Sequence, residues 1–173
     1  MIIDARTVYL VAAATCLIIA GGLSFFQVRH FRQTAMSWWI LGQSLQGLAW
    51  GFLGGRGIIP ESLSILVFNV CTTASYSLFY AAVKEFQRRS FRWDYLISPV
   101  LATFVFFWIF RAYDAPLLRL IYIGSLSALQ MASIAVVLLR GTAAPLSNSQ
   151  RLTGYVFAAG AVLFFASESF QLG

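Results

Sequence analysis

Charge is what this sequence has least of. Only 10% of its 173 residues are Asp, Glu, Lys or Arg, against about 25% in an ordinary soluble domain, while 60% are apolar. That composition cannot cover a water-exposed surface, so a soluble globular domain is excluded and an integral membrane chain is implied. Histidine occurs once, as His30. Bis-histidine haem ligation within the chain is therefore excluded, and a His/Met pair would have to use Met1, Met36 or Met131 without any supporting spacing. His30 lies between Arg29 and Arg32 and reads as an interfacial residue. The two cysteines, Cys16 and Cys71, each sit inside an apolar run. They make no disulfide framework, do not report the redox compartment, and read as small packing residues. There is no Cys-x-x-Cys, no glycine-rich phosphate loop, no metal-spaced set of acids and no nucleophile beside a suitable base, which argues against catalysis by this chain.

Long apolar runs are what is present. Stretches free of Asp, Glu, Lys, Arg and His cover 7–28, 33–55, 62–83, 95–110, 120–139 and 152–167, and a bilayer core of ~30 Å needs ~20 helical residues. The expected architecture is all-α: one integral membrane domain over residues 1–173, a polytopic bundle of six spans near 7–28, 35–55, 62–83, 95–111, 119–139 and 152–170. The runs do not alternate polar with apolar, which excludes barrel strands. Asp4 and Arg6 precede a first run too long for a signal-peptide core and without an obvious cleavage site, so that run is expected to stay as an anchor. Trp93 and Tyr95 suit the headgroup level ahead of the short fourth run.

The twelve Lys and Arg residues set the orientation. Lys84, Arg88, Arg89 and Arg92 crowd one short loop between apolar runs, and with Arg29, Arg32, Arg140 and Arg151 they place eight cations on one side. Arg6, Arg56, Arg111 and Arg119 lie on the other. Short loops rich in Lys and Arg remain cytoplasmic, so the loops at 29–32, 84–92 and 140–151 are expected inside, the N-terminus outside, and Gly173 outside if the sixth run crosses. The cations sit at the ends of apolar runs rather than along one polar face, which fits topology signals and headgroup contacts and not a nucleic-acid surface. Gly54, Gly55 and Gly57 mark the end of the second helix, Pro60 and Glu61 the start of the third, and Gly141 with Pro145 punctuates the fifth loop.

Helices in lipid associate through close backbone approach and interhelical hydrogen bonds. Small residues recur every fourth position at Gly47, Gly51 and Gly55 on the second helix, at Ala12, Cys16, Ala20 and Ser24 on the first, and at Gly124, Ala128 and Ala132 on the fifth. These stripes are read as packing faces inside the bundle or as a face for a partner. The fourth helix carries Phe104, Phe106, Phe107, Trp108 and Phe110; lipid contact is the plain reading, a flat apolar ligand the sharper one. Polar side chains within the runs are informative because they cost free energy unless paired. Gln43, Gln46, Asn69, Thr72, Thr73, Tyr76 and Gln130 are the candidates, either fixing helix register or forming one polar interior that orients an otherwise apolar ligand such as a lipid, quinone or carotenoid. Amides do not titrate, so a proton path is not expected there. Glu168 lies about 24 Å along the sixth helix and reads as a solvated helix end.

One stretch resembles a known arrangement: Trp39, Leu41-Gly42, Leu48, Arg56-Gly57-Ile58-Ile59-Pro60, Leu63-Ser64-Ile65, Asn69, and Phe86 before the basic loop. It is similar to the multi-helix membrane region found ahead of the GGDEF domain in many bacterial diguanylate cyclases, most clearly from Trp39 to Arg89. The resemblance implies a sensory or anchoring input module in the inner membrane, followed by a further helix and a cytoplasmic cyclase. No GGDEF motif occurs here, so no cyclase residue carries over, and with Gly173 outside a seventh crossing would be needed to reach the cytoplasm. The competing expectation is an accessory subunit of a larger bacterial membrane complex, respiratory or photosynthetic, bound to lipids and to other membrane subunits or to a second copy of itself. A small transporter ranks behind both, for want of internal repeats or charged midplane helices.

Overall fold

The structure, a computed structural model, describes residues 4–30, 33–140 and 148–171, with the side chains of 29, 30, 116 and 164–171 outside that description. Six helices occupy almost all of it: α1 (Ala5–His30), α2 (Thr34–Gly54), α3 (Glu61–Phe86), α4 (Asp94–Ala112), α5 (Pro116–Leu139) and α6 (Asn148–Gln171). No strand occurs among the described residues. Each boundary falls within a few residues of the expected one.

Among the described residues, four stretches are long and apolar enough to cross a membrane: Ala5–Val28, Glu61–Phe86, Asp94–Ala112 and Leu117–Leu139. This corrects the expectation of six such spans. In α2, Gln43, Gln46 and four glycines interrupt the apolar sequence, while the side chains of α6 are described only as far as residue 163. Charge-free length is therefore not the same thing as apolar length.

The helix ends follow local chemistry. At the end of α2 the Gly55 N–H donates to the Gly51 carbonyl at 3.0 Å, and Gly57 turns the chain with φ +92°, a region glycine enters without Cβ strain. Pro60 then precedes α3, where its missing N–H costs nothing. The ends of α3 and α4 close alike: Arg88 and Asp114 adopt φ 54° and 46°, and the next residues, Arg89 and Ala115, each donate N–H to a carbonyl five residues back at 2.9 Å. These are Schellman closures with a non-glycine residue in the left-handed position. The glycine and proline expected to punctuate the fifth loop, Gly141 and Pro145, lie outside the described residues, as do the side chains of Arg29, His30, Arg32 and Glu168.

Helix α3 is the axis of the bundle. It packs against α2, α4 and α5, while α1 lies on α2 and α6 on α5. The core is Tyr76, Phe79 and Val83 of α3 against Ile134 and Leu138 of α5, with Trp39 and Phe157 packed around it. Gly42 and Gly47 are among the glycines that permit close approach. A Cβ on Gly42 would stand 2.6 Å from Cε1 of Phe79 and 3.2 Å from the Ser75 carbonyl, and one on Gly47 would stand 2.8 Å from Cγ of Leu17 in α1. Outward, α1 and α4 present mostly exposed apolar side chains, among them Ile18, Val28, Leu101 and Trp108.

Candidate functional site

Seen from α3 outward, the polar residues form two seams. Toward α2, the Ser75 hydroxyl donates to Oε1 of Gln46 at 2.5 Å and to its own helix at the Thr72 carbonyl, and the fully buried Ser64 hydroxyl donates to the Phe52 carbonyl at 2.5 Å. Toward α4 and α5, Nε2 of Gln130 donates to the Thr73 carbonyl at 3.1 Å and to the Ser77 hydroxyl at 3.0 Å, and the hydroxyls of Thr73 and Thr103 stand 3.2 Å apart. Near the basic end, Nε2 of Gln87 donates to the Val137 carbonyl of α5 at 2.9 Å. Successive helical residues turn about 100°, so Ser75 points away from both Thr73 and Ser77. The single polar interior expected from sequence is thus two interfaces separated by the body of α3.

The named candidates divide accordingly. Gln46, Thr73 and Gln130 are tied into these seams, and Tyr76 is buried with its ring 6.4 Å from that of Phe79. Asn69 is buried and Gln43 half-buried, and neither has a side-chain hydrogen bond among the described residues. Of the small-residue positions, Gly47 receives α1, Gly55 lies in the turn after α2 against Ile59, and Gly51 has nothing within 4 Å. Gly124 and Ala128 are buried on α5. Sequence reasoning missed Ser64, Ser75, Ser77, Gln87 and Thr103. For Ser75 and Ser77 a signal was present: they follow Thr72 and Thr73 by three and four residues, and hydroxyls so spaced on an apolar helix lie near one face.

Where α4 and α5 diverge, a cleft opens. The two helices meet at the end away from the basic loop, where the rings of Phe106 and Phe110 stand 4.6 and 5.9 Å from that of Tyr122. Toward the basic loop they leave a hollow of about 250 Å³ walled by Tyr76, Ser77, Tyr80, Tyr95, Leu129 and Gln130, with Pro99 and Ser133 at its sides. Oε1 of Gln130 is buried and has no hydrogen-bond partner among the described residues. Pro99 has no N–H, so it donates no helical bond to the Tyr95 carbonyl.

Two other hollows lie at the ends. One of about 530 Å³ is floored by Trp39, Val83 and Leu138 and rimmed by Gln33, Gln150 and Thr153. The other, about 570 Å³, lies beside Arg6, Arg56 and Glu61, where Nη2 of Arg6 donates to the Arg56 carbonyl.

The basic loop is organised by its aromatic residues. Trp38 of α2 meets Phe91 edge-on at 6.1 Å and Trp93 at 6.0 Å. Lys84 holds its Nζ 5.6 Å from the Tyr80 ring centroid, and Arg92 pairs with Asp94 at the first residue of α4, both side chains well exposed. Arg88 and Arg89 are exposed at the α3 terminus.

Comparison with family models, with curated proteins and with solved structures gives no match.

Proposed function

We propose that this chain is a non-catalytic module of a bacterial inner membrane, a sensory or anchoring input region of the kind it resembles ahead of GGDEF cyclases. All six helices cross, with the N-terminus outside and the loops at 29–32, 84–92 and 140–151 in the cytoplasm. The crossing of α2 despite its amides is supported by the inward bond of Gln46 to Ser75, since an amide satisfied inside the bundle is not offered to lipid. Its 21 residues span about 31 Å. The observation that carries the reading is the position of α3, bonded to α2, α4 and α5 and running directly into the basic loop. A change of packing on any side of α3 moves that loop, which is how a bundle with no catalytic lobe passes a signal on.

Two measurements test this. Maleimide labelling of single cysteines placed at Arg88 and Ile58 in spheroplasts and in inverted vesicles should protect the first and expose the second in spheroplasts; the reverse pattern refutes the orientation. The intact mass of the native product from membranes should exceed 19.2 kDa if an output domain follows. A mass of 19.2 kDa with migration in a large assembly in mild detergent favours the accessory subunit. That second reading has its own support: Gly21, Gly22 and Gly51 have nothing within 4 Å, leaving small-residue positions on α1 and α2 open to another helix. On it, Gly51→Leu releases the chain from its complex without unfolding it.

A further inference from the structure

We propose that the hollow beside Arg6, Arg56 and Glu61 holds the headgroup of an ethanolamine phospholipid, its phosphate on the two guanidiniums and its ammonium on the carboxylate. The inference rests on reading the chain as a multi-pass membrane module, and it assigns that module a lipid site at the end opposite the basic loop. Three observations lead to it.

The first is depth. Arg6 precedes the charge-free run 7–28, Arg56 follows the run 33–55 and Glu61 precedes the run 62–83. The three charges therefore stand at one end of three apolar lengths, the level at which phospholipid phosphates lie. Past Arg6 and Glu61 the first apolar side chains are Val8 and Leu63, 52% and 45% exposed, so acyl chains meet the protein directly below the hollow. The second is the way the cations are brought together. The turn between α2 and α3 lines a hollow of about 570 Å³ together with Arg6 of α1. Nη2 of Arg6 donates to the Arg56 carbonyl and lies so near Gly57 that a Cβ there would stand 2.7 Å from it. Guanidiniums recognise phosphate through paired N–H donors, and here two share one hollow. The third selects the headgroup. Among the described residues Arg6, Arg56 and Glu61 form no ion pair with one another, and the neighbouring acid, Asp4, accepts the Arg6 backbone N–H and lies outside the lining. Two cations and two acids thus balance around this hollow without pairing. A zwitterion keeps that balance and answers both signs. Phosphatidylglycerol adds a negative charge and offers Glu61 no cation, and the quaternary ammonium of phosphatidylcholine has no N–H to donate. Arg111 and Arg119, at the same end, rest on the rings of Trp108 and Phe107 and do not line the hollow.

The experiment offers the full chain, delipidated in mild detergent, equimolar phosphatidylethanolamine, phosphatidylglycerol and phosphatidylcholine with identical acyl chains, and counts the lipid retained per chain by native mass spectrometry. One phosphatidylethanolamine per chain should be retained, favoured about five-fold over each of the others, which is the most an exposed ion pair supplies. Arg6→Gln combined with Arg56→Gln should lower retention of all three lipids about ten-fold. Because Arg6 also ties α1 to the turn, a second variant separates binding from folding. Glu61→Gln breaks no hydrogen bond among the described residues and should remove the preference for ethanolamine; a role of Glu61 confined to the α3 dipole would move stability and not headgroup preference. Glu85→Gln, at the other end of α3, should leave the preference intact. Equal retention of the three lipids by the wild type, a preference that survives Glu61→Gln, or one that Glu85→Gln removes as well each overturns the inference. Water-soluble glycerophosphoethanolamine that competes as well as the lipid overturns the lipid source. Correct topology with no headgroup preference sinks the site alone; failed insertion in the labelling test sinks the module reading first.

Discussion

Gly42 and Gly51 lie on the same helix, nine residues apart, and give a matched test of how α2 meets α3. Replacing Gly42 by alanine places a methyl group 2.6 and 2.8 Å from Cε1 and Cδ1 of Phe79 and 3.2 Å from the Ser75 carbonyl. Phe79 cannot simply swing aside, because its ring is buried against Trp39 at 4.8 Å, with Tyr76 and Phe157 at 6.4 and 6.5 Å. Overpacking of this kind costs about 1–3 kcal/mol, and the gain of alanine over glycine within a helix returns up to about 1 kcal/mol. The net expectation for Gly42→Ala is a loss of about 1–2 kcal/mol. Gly51→Ala meets nothing within 4 Å and should be neutral or stabilising by up to about 1 kcal/mol. The two variants should therefore differ by about 2 kcal/mol, roughly 25-fold in the folding equilibrium. Reversible unfolding in mixed micelles, followed by tryptophan fluorescence, reads it directly. Phe79→Leu should remove part of the Gly42→Ala penalty, since the clash is with the ring. Equal stability of the two alanine variants would refute the close α2–α3 approach.

Asp114→Gly should stabilise the chain by about 1 kcal/mol, because a left-handed residue at a helix end carries no Cβ penalty when it is glycine; a melting temperature at or below wild type counts against that closure. Ser75→Ala should cost ~0.6 to 2 kcal/mol through loss of the bond to Gln46, measured in the same micelle assay, and in Gln46→Leu background the further effect should shrink. Arg92→Ala should change stability by less than about 0.5 kcal/mol, since its pair with Asp94 is exposed; a larger loss would mean the loop depends on that pair.

The sequence made the helices and their ends legible because both are written locally. Gly55, Gly57 and Pro60 mark a turn whatever surrounds it, and a charge-free run of twenty residues marks a helix. It overstated the apolar character of α2, because counting charges ignores Gln43, Gln46 and the glycines. It also picked out α3 as polar through Asn69, Thr73 and Tyr76 without showing that α3 is central. The partners of a buried hydroxyl lie on other helices: Ser75 is an ordinary small residue until Gln46 faces it, and Thr103 until Thr73 does. Gly47, Gly51 and Gly55 share a spacing, but only the three-dimensional arrangement shows that one receives α1, one is open and one lies in the turn.

The loop at 84–94 draws attention for its cations, yet its aromatic residues do more to shape the bundle. Trp93 stands one residue before α4 and is held by Trp38 of α2 and by Phe91, which draws the start of α4 toward α2. In its middle, α4 is fixed to α3 by two short side chains, Thr73 and Thr103. At its far end, Phe106 and Phe110 hold it on Tyr122 of α5. A helix drawn toward α2 at one end and toward α5 at the other must leave α5 along part of its length. That is where Tyr95 and Pro99 face Leu129, Gln130 and Ser133 across the cleft. The opening therefore lies between the contacts that hold the two ends of α4, and at one of those ends the ring that meets Trp38 of α2 is Trp93 of the basic loop.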